Sequence, residues 1–328
     1  MGLKVAFFGT PEFAATVLRG LLESRHDVVA VAAAADRPSG RGRKIRLGPV
    51  SALARERGLR LLQPTSLKPP EALDELRELN ADVWAVASYG LIFTKAALQI
   101  PRIETINAHG SLLPLLRGAA PIERAILAGF TSTGISVQRV VRRVDAGDVY
   151  ASRSVEIGAN ETAGELRERL AVVAAGLLPE VLDGIEEGTA ARVPQDESKV
   201  THAPPLQPGE RALRWSESAE MASRRVRTFA PRPGAFALLP DELGRKRLKV
   251  LEAELLREDA AGCAPGEVVM ARHGELIVAA REGALRLVTV QPEGKKPMPA
   301  GAFLSGHGVT RGQVFLDGMP SCPVPPKA

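Results

Sequence analysis

Residues 4–33 read KVAFFGTPEFAATVLRGLLESRHDVVAVAA, two short apolar runs with a longer amphipathic stretch between them. Short, nearly continuous apolar runs suit strands buried on both faces. Phe13, Val17, Leu18, Leu21 and Leu22 recur instead at the three- and four-residue spacing of one helix face. The stretch therefore reads as strand Lys4–Phe8, helix Glu12–Glu23 and strand Asp27–Ala33, with the helix crossing over so that the second strand lies parallel to the first. The alternation continues through a helix at Pro70–Leu79 and strands at Val83–Ser88 and Ile103–His109. Strands alternating with helices predict an α/β fold, a Rossmann-like, doubly wound, mostly parallel sheet. The first turn, FFGTPEF, has one glycine where a dinucleotide fingerprint needs GxGxxG, and Asp36 comes late after the second strand, which counts against a nicotinamide-dependent oxidoreductase.

Outward from this core, Ala35–Gly48 carries Arg37, Arg41, Arg43, Lys44 and Arg46 against the single acid Asp36, and its glycines and proline predict an exposed, mobile basic loop. Apolar residues at helical spacing from Thr162 to Ile185 predict a long helix that closes the first domain. The polar, Pro-bearing tract Gly188–Pro208 reads as a linker. Beyond it come a helix near Ser216–Val226 and five short strands, Ala235–Leu239, Leu248–Ala253, Glu267–Met270, Leu276–Ala280 and Leu285–Val290, which predict a small OB-like β-barrel. The expected layout is a catalytic domain over 1–188, a linker over 189–208 and a β-barrel domain over 209–328, in keeping with a length of 328 residues.

The formal charge of +5 suits a polyanionic partner without identifying one. Cys263 and Cys322 lie far apart with no metal-ligand spacing, so neither a disulfide framework nor a metal site is expected. Apolar runs fall well short of the ~20 residues a membrane span needs, and the N-terminus lacks a signal-peptide pattern, so a cytoplasmic protein is expected.

The sharpest constellation is NAHGSLLP at residues 107–114, followed by Arg117-Gly118-Ala119-Ala120-Pro121 and later by Asp145-Ala146-Gly147-Asp148. Asn107 and His109, two apart at the end of a strand, face the same side, and the carboxyl ends of strands in such sheets open onto the ligand crevice. Taken alone, Asn-x-His is more often a satisfied turn, and two aspartates about a glycine an ordinary bend.

The run NAHGSLLPLLRGAAPIERAILAG resembles the signature of the folate-dependent formyltransferase superfamily. By that resemblance Asn107, His109 and Asp145 are the catalytic trio, and folate contacts are implied at Ser111, Leu112, Leu113 and Pro114 and at Tyr89 and Gly90. The segments VAFFGTPEFA, DRPSGRGRK, LLQPTSLKP, AVASYGLI, RTFAPRPGAF and VTVQPEGKKPMPAGAFLSG resemble the methionyl-tRNA formyltransferases within it. They cover most of the chain, including the C-terminal domain that glycinamide ribonucleotide formyltransferases lack.

The resemblance implies formyl transfer from 10-formyltetrahydrofolate to methionine on charged initiator tRNA, and a monomer is expected. An amide and an imidazole can stabilise the developing oxyanion or carry the amine's proton, and whether His109 is general base or oxyanion donor stays open. The resemblance also implies tRNA contacts from Arg41, Arg43 and Lys44 in the basic loop, with Lys246 and Arg247 expected to join them from the C-terminal domain. The chain departs from the family at Leu115-Leu116, where Arg-Trp is usual, and at Pro205, where Lys is common. Two alternatives remain: an N-formyltransferase acting on a sugar or other small amine, and a non-catalytic RNA-binding protein.

Overall fold

In the computed structural model, which describes residues 2–39, 44–256 and 262–318, the opening stretch forms β1 (Lys4–Gly9), α1 (Glu12–Leu22) and β2 (Asp27–Ala32). Val5 to Phe8 are all buried, as a strand covered on both faces requires, and α1 covers one face with Phe13, Val17, Leu18 and Leu21. Two three-residue strands, β3 (Arg37–Ser39) and β4 (Lys44–Arg46), pair antiparallel where an irregular loop was expected. Then follow α2 (Pro49–Glu56), β5 (Leu61–Leu62), α3 (Pro70–Arg77), β6 (Val83–Ala87) and β7 (Glu104–His109). After α4 (Pro121–Ala128) come β8 (Ser132–Arg139), β9 (Val149–Glu156) and α5 (Ala163–Glu187).

The first sheet has the order β5-β2-β1-β6-β7-β8-β9. Its pairings are parallel from β5 to β7 and antiparallel at β7–β8 and β8–β9. The strand order reverses between β1 and β6, and ligands of open α/β sheets bind beyond the carboxyl ends of strands at such a reversal. Helix α5 lies close on α1: a Cβ on Gly20 would meet the Ala175 carbonyl oxygen at 2.4 Å, so a glycine is required there.

The chain divides into two compact units, one of Met1–Pro121, Ser132–Glu156 and Arg167–Ala203, the other of Ile122–Thr131, Ile157–Leu166 and Pro204–Ala328. The tract after α5, read from sequence as a linker, is hydrogen-bonded into the first unit as far as Ala203. Val193 exchanges two backbone hydrogen bonds with Val149, and Ala203 donates to the Arg117 carbonyl and accepts from the Ala120 N–H.

The second unit contains α6 (Ala219–Phe229), whose first turn is capped by the Ser218 hydroxyl, and β10 (Ala235–Leu238), β11 (Arg247–Leu256), β12 (Val268–Arg272), β13 (Glu275–Ala279), β14 (Ala284–Pro292) and β15 (Met298–Pro299), ending in α7 (Ala300–His307). The antiparallel order is β10-β11-β14-β13-β12, with β15 on β14. An irregular segment ties the two edges together: Glu267, beside β12, bridges to Val314, and Leu238 of β10 bridges to Leu316. That closure makes the sheet a barrel, filled by Trp215, Phe229, Leu248, Val250, Leu285, Phe303 and Phe315.

Candidate active site

β7 ends in the first unit's site. Asn107 lies opposite Val86 of β6 on one side and Gln138 of β8 on the other, and His109 lies opposite Ser136. His109 is buried and Asn107 half-buried, both on one face of the strand. The chain then folds back on itself. The Ser111 hydroxyl donates to the Leu115 carbonyl at 2.6 Å, and the Ser136 hydroxyl accepts from Leu113 N–H at 3.0 Å while donating to the Ser111 carbonyl at 2.8 Å. Leu116, at φ +58°, donates its N–H to Thr201 Oγ1, and its carbonyl oxygen sits 3.0 Å from His109 Nε2.

Asp145 reaches the same imidazole from the loop between β8 and β9, its Oδ2 being 3.6 Å from His109 Nδ1. Gly118 N–H donates to that oxygen at 2.9 Å, and the Gln138 side-chain amide donates to Oδ1 at 2.8 Å. The carboxylate thus has a donor at each oxygen, which fixes its direction. Asp145 itself has φ +50°, an uncommon conformation for a residue with a side chain, held by the surrounding bonds. At Gly147 a Cβ would lie 1.8 Å from the Arg139 carbonyl oxygen, so the return of this loop onto β8 needs a glycine.

Behind the carboxylate lies a polar network. Gln195 Nε2 donates to the carbonyls of Asp145 at 2.9 Å and Gly147 at 2.7 Å and lies 3.3 Å from Gln138 Oε1. Gln195 Oε1 accepts from Arg117 Nε at 2.9 Å. Arg117 is 2% exposed, and its NH2 donates to Glu197 at 2.8 Å. The guanidinium holds the Glu197 carboxyl below the usual carboxylate range.

Of the residues singled out in sequence, His109 and Asp145 meet, Asn107 lies on the same face as His109, and Ser111–Pro114 forms the turn above them. Tyr89 and Gly90 leave the end of β6, the parallel neighbour of β7. The Tyr89 ring packs on Phe8 and Phe93, its hydroxyl finds no hydrogen-bond partner among the described residues, and burial pushes its pKa up to about 12. Arg41 and Arg43 lie outside the described residues, and Lys44 opens β4. Lys246 and Arg247 are exposed in the second unit, with the Arg247 guanidinium 4.7 Å from the centre of the Phe236 ring.

Sequence reasoning missed Gln138 and Gln195 as parts of the site and quoted Arg117 and Gly118 beside it without giving either a role. Gln138 lies on a strand that was not recognised, and Gln195 in a tract taken for a linker. Among the described residues, His26, Asp183 and Glu186 bring ligand-type atoms within 4.8 Å of one another. His26 Nδ1 accepts the Leu3 N–H, which leaves the ring's proton on Nε2 facing Asp183, and Arg25 pairs with both acids, so the group is closed as an ion-pair cluster.

The chain belongs to the formyl transferase family, whose main domain matches residues 3–182 and whose C-terminal domain matches residues 205–308. Its similarity to particular members runs through both matched domains. The methionyl-tRNA formyltransferase of Symbiobacterium thermophilum is 43% identical over 314 residues, 95% of each chain. That of Methylococcus capsulatus is 43% identical over 307 residues, 94% of this chain and 98% of the other. Among solved structures, HypX from Aquifex aeolicus in complex with tetrahydrofolic acid superposes with a TM-score of 0.63 at 18% identity over 93% of this chain, which spans 47% of HypX. The sugar formyltransferase WlaRD superposes at 0.62 with 14% identity, covering 90% of this chain and all of the other. At those identities the likeness is one of fold.

Proposed function

We propose that the chain transfers the formyl group of 10-formyltetrahydrofolate to the amino nitrogen of methionine on charged initiator tRNA. The observation that carries the reading is the meeting of His109 and Asp145, 36 positions apart, at the carboxyl end of β7 in a chain that matches methionyl-tRNA formyltransferases through both units. Formyl transfer needs an amine to attack the formyl carbon, a donor for the oxyanion that forms, and a route for the amine's proton to the departing folate nitrogen. Asn107 and His109 stand together where that oxyanion would form. Both nitrogens of the His109 ring face oxygens, Leu116 O and Asp145 Oδ2, and a ring so placed can donate from either. Asp145 holds the imidazole's orientation, and a ring that turns Nε2 away from Leu116 O can take the amine's proton there and hand it to the departing folate nitrogen.

The donor is held along the turn Ser111–Pro114 and by the segment at Tyr89 and Gly90. Support for the latter comes from the buried Tyr89 hydroxyl, which a polar edge of the pterin would satisfy. The tRNA is held by phosphate contacts from Arg41, Arg43 and Lys44 and from Lys246 and Arg247. No helix among the described residues is long and apolar enough to cross a membrane. We place the protein in the cytoplasm as a monomer, with a catalytic domain over 1–188 to which residues 189–203 of the expected linker also belong, and a tRNA-binding domain over 209–328, and with no metal in the reaction.

The test supplies purified protein with 10-formyltetrahydrofolate and, in parallel, charged initiator tRNA, charged elongator methionyl-tRNA and a nucleotide-linked amino sugar. Formylation of the initiator form well ahead of the other two is expected. Turnover of the amino sugar with no formylation of tRNA would overturn the reading.

A further inference from the structure

The tract from Glu187 to Ala203 has a consequence for the chemistry that its composition hides. Within this tract the Gln195 side chain reaches the backbone of Asp145 and Gly147, and its amide orientation is settled by its neighbours. Arg117 Nε can only donate, so the Gln195 atom 2.9 Å away is the oxygen, and the amide nitrogen must be the atom that faces the carbonyls of Asp145 and Gly147. One side chain thus ties a fully buried guanidinium to both ends of the Asp145–Gly147 turn. A second path runs from the same nitrogen to Gln138 Oε1, and from Gln138 Nε2 to Asp145 Oδ1. Glu197 anchors the far side of Arg117 and also pairs with Arg143 at 2.8 Å.

We infer that Gln195 is a positioning residue for formyl transfer, gripping the backbone of the Asp145 loop against buried Arg117 so that the carboxylate stays aimed at His109. The inference rests on the catalytic role proposed above for His109 and Asp145. Asp145 needs such a grip because its positive φ is unfavourable for a residue with a Cβ, and relaxation of φ would swing the carboxylate away from the ring. The hydrogen bonds of Gln195 go to Arg117, Gln138 and the Asp145 and Gly147 carbonyls, and Gln138 in turn donates to Asp145, so its influence passes through Asp145.

Gln195→Met keeps the length of the side chain and removes both the donor and the acceptor. It should lower kcat by about 10- to 100-fold, the scale of a misplacement near 1 Å, with KM for donor and tRNA within about twofold of the parent. Gln195→Glu keeps an acceptor for Arg117 but turns a carboxylate oxygen toward two carbonyls, and should cost at least as much. In an Asp145→Asn background, Gln195→Met should change the residual kcat by less than about twofold, because the group it serves is already lost.

Melting temperature and circular dichroism verify that each variant is folded. If Gln195→Met loosens the fold, Gln195→Glu and the 15N spectrum of the His109 ring in the ligand-free protein carry the test. Gln195→Met or Gln195→Glu should shift those ring signals. This readout needs no turnover, so a parent chain that does not formylate tRNA would defeat the proposed substrate while leaving Gln195 open to test. Unchanged kcat in the single variants, full additivity with Asp145→Asn, or ring signals identical to the parent's would each overturn the inference.

Discussion

His109, Gly147 and His26 show three ways in which one residue constrains the first unit. If His109 moves the proton or holds the oxyanion, His109→Ala should lower kcat by about 10²- to 10⁴-fold while leaving tRNA affinity nearly intact, read by formylation rate against filter binding. Unaltered turnover would remove it from the chemistry. Gly147→Ala places a methyl where the Arg139 carbonyl lies at 1.8 Å, so the loop must part from β8. Activity should fall by about 10-fold or more and the melting temperature should drop, and a variant with parental kcat would show that the loop adapts. His26 is a matter of pH. Burial of the ring lowers its pKa below the ordinary 6.5, outweighing the pull of Asp183 and Glu186, and Arg25 adds to the lowering. The unfolded chain therefore takes up a proton below pH 6.5 that the folded chain refuses, and stability should decline as pH falls below that value. Protonation would also oppose the Leu3 N–H donated to Nδ1. His26→Asn should flatten the change in urea midpoint between pH 7.5 and 5.5, and an unchanged slope would assign the acid sensitivity elsewhere.

The elements divide by how local their signals are. β1, α1, β2 and β6 were legible because buried parallel strands read as apolar runs and α1 repeats at helical spacing, both properties of ten or so consecutive residues. β8 and β9 were not, because an antiparallel edge pair such as Ser132–Arg139 and Val149–Glu156 mixes serines and arginines with its apolar residues and depends on its partner for definition. That omission hid Gln138, whose place opposite Asn107 exists only once β8 is paired. Gln195 was hidden for a related reason, since its bonds reach back 50 positions to Asp145 and nothing in the polar composition of its own tract records them. In the second unit five strands were legible from their spacing. The segment that closes the ring was not, because Val314 and Leu316 contribute single bridges instead of a ladder. Phe315 lies between those bridges, buried, with its ring 6.0 Å from that of Trp215. Phe315→Ala should cost about 3–5 kcal/mol of stability in denaturant unfolding of the second unit, and a loss under about 1 kcal/mol would mean that the closure is dispensable.

Charge over the whole molecule bears on how a polyanion is held. Residues 206–328 contain 18 Lys and Arg against 14 Asp and Glu, a surplus of four out of the chain's net five. The excess is small, so affinity for tRNA depends on where cations cluster and not on the sum. Many of the second unit's arginines are already engaged: Arg225 pairs with Glu217, Arg224 with Glu220, Arg286 with Glu254 and Glu275, and Arg245 with Asp241. Lys246 and Arg247 are exposed at the start of β11, with Arg247 over the Phe236 ring, which makes them the better candidates for phosphate contact. If each neutralises one phosphate, the log–log slope of tRNA affinity against salt should flatten by about 1.4–1.8 in the variant carrying Lys246→Ala and Arg247→Ala. The effect belongs to the tRNA alone, so the KM for 10-formyltetrahydrofolate should stay at its parental value. Titration of charged initiator tRNA from low to physiological salt measures the slope. A parallel slope, with affinity lowered or not, would place the phosphate contacts on other residues.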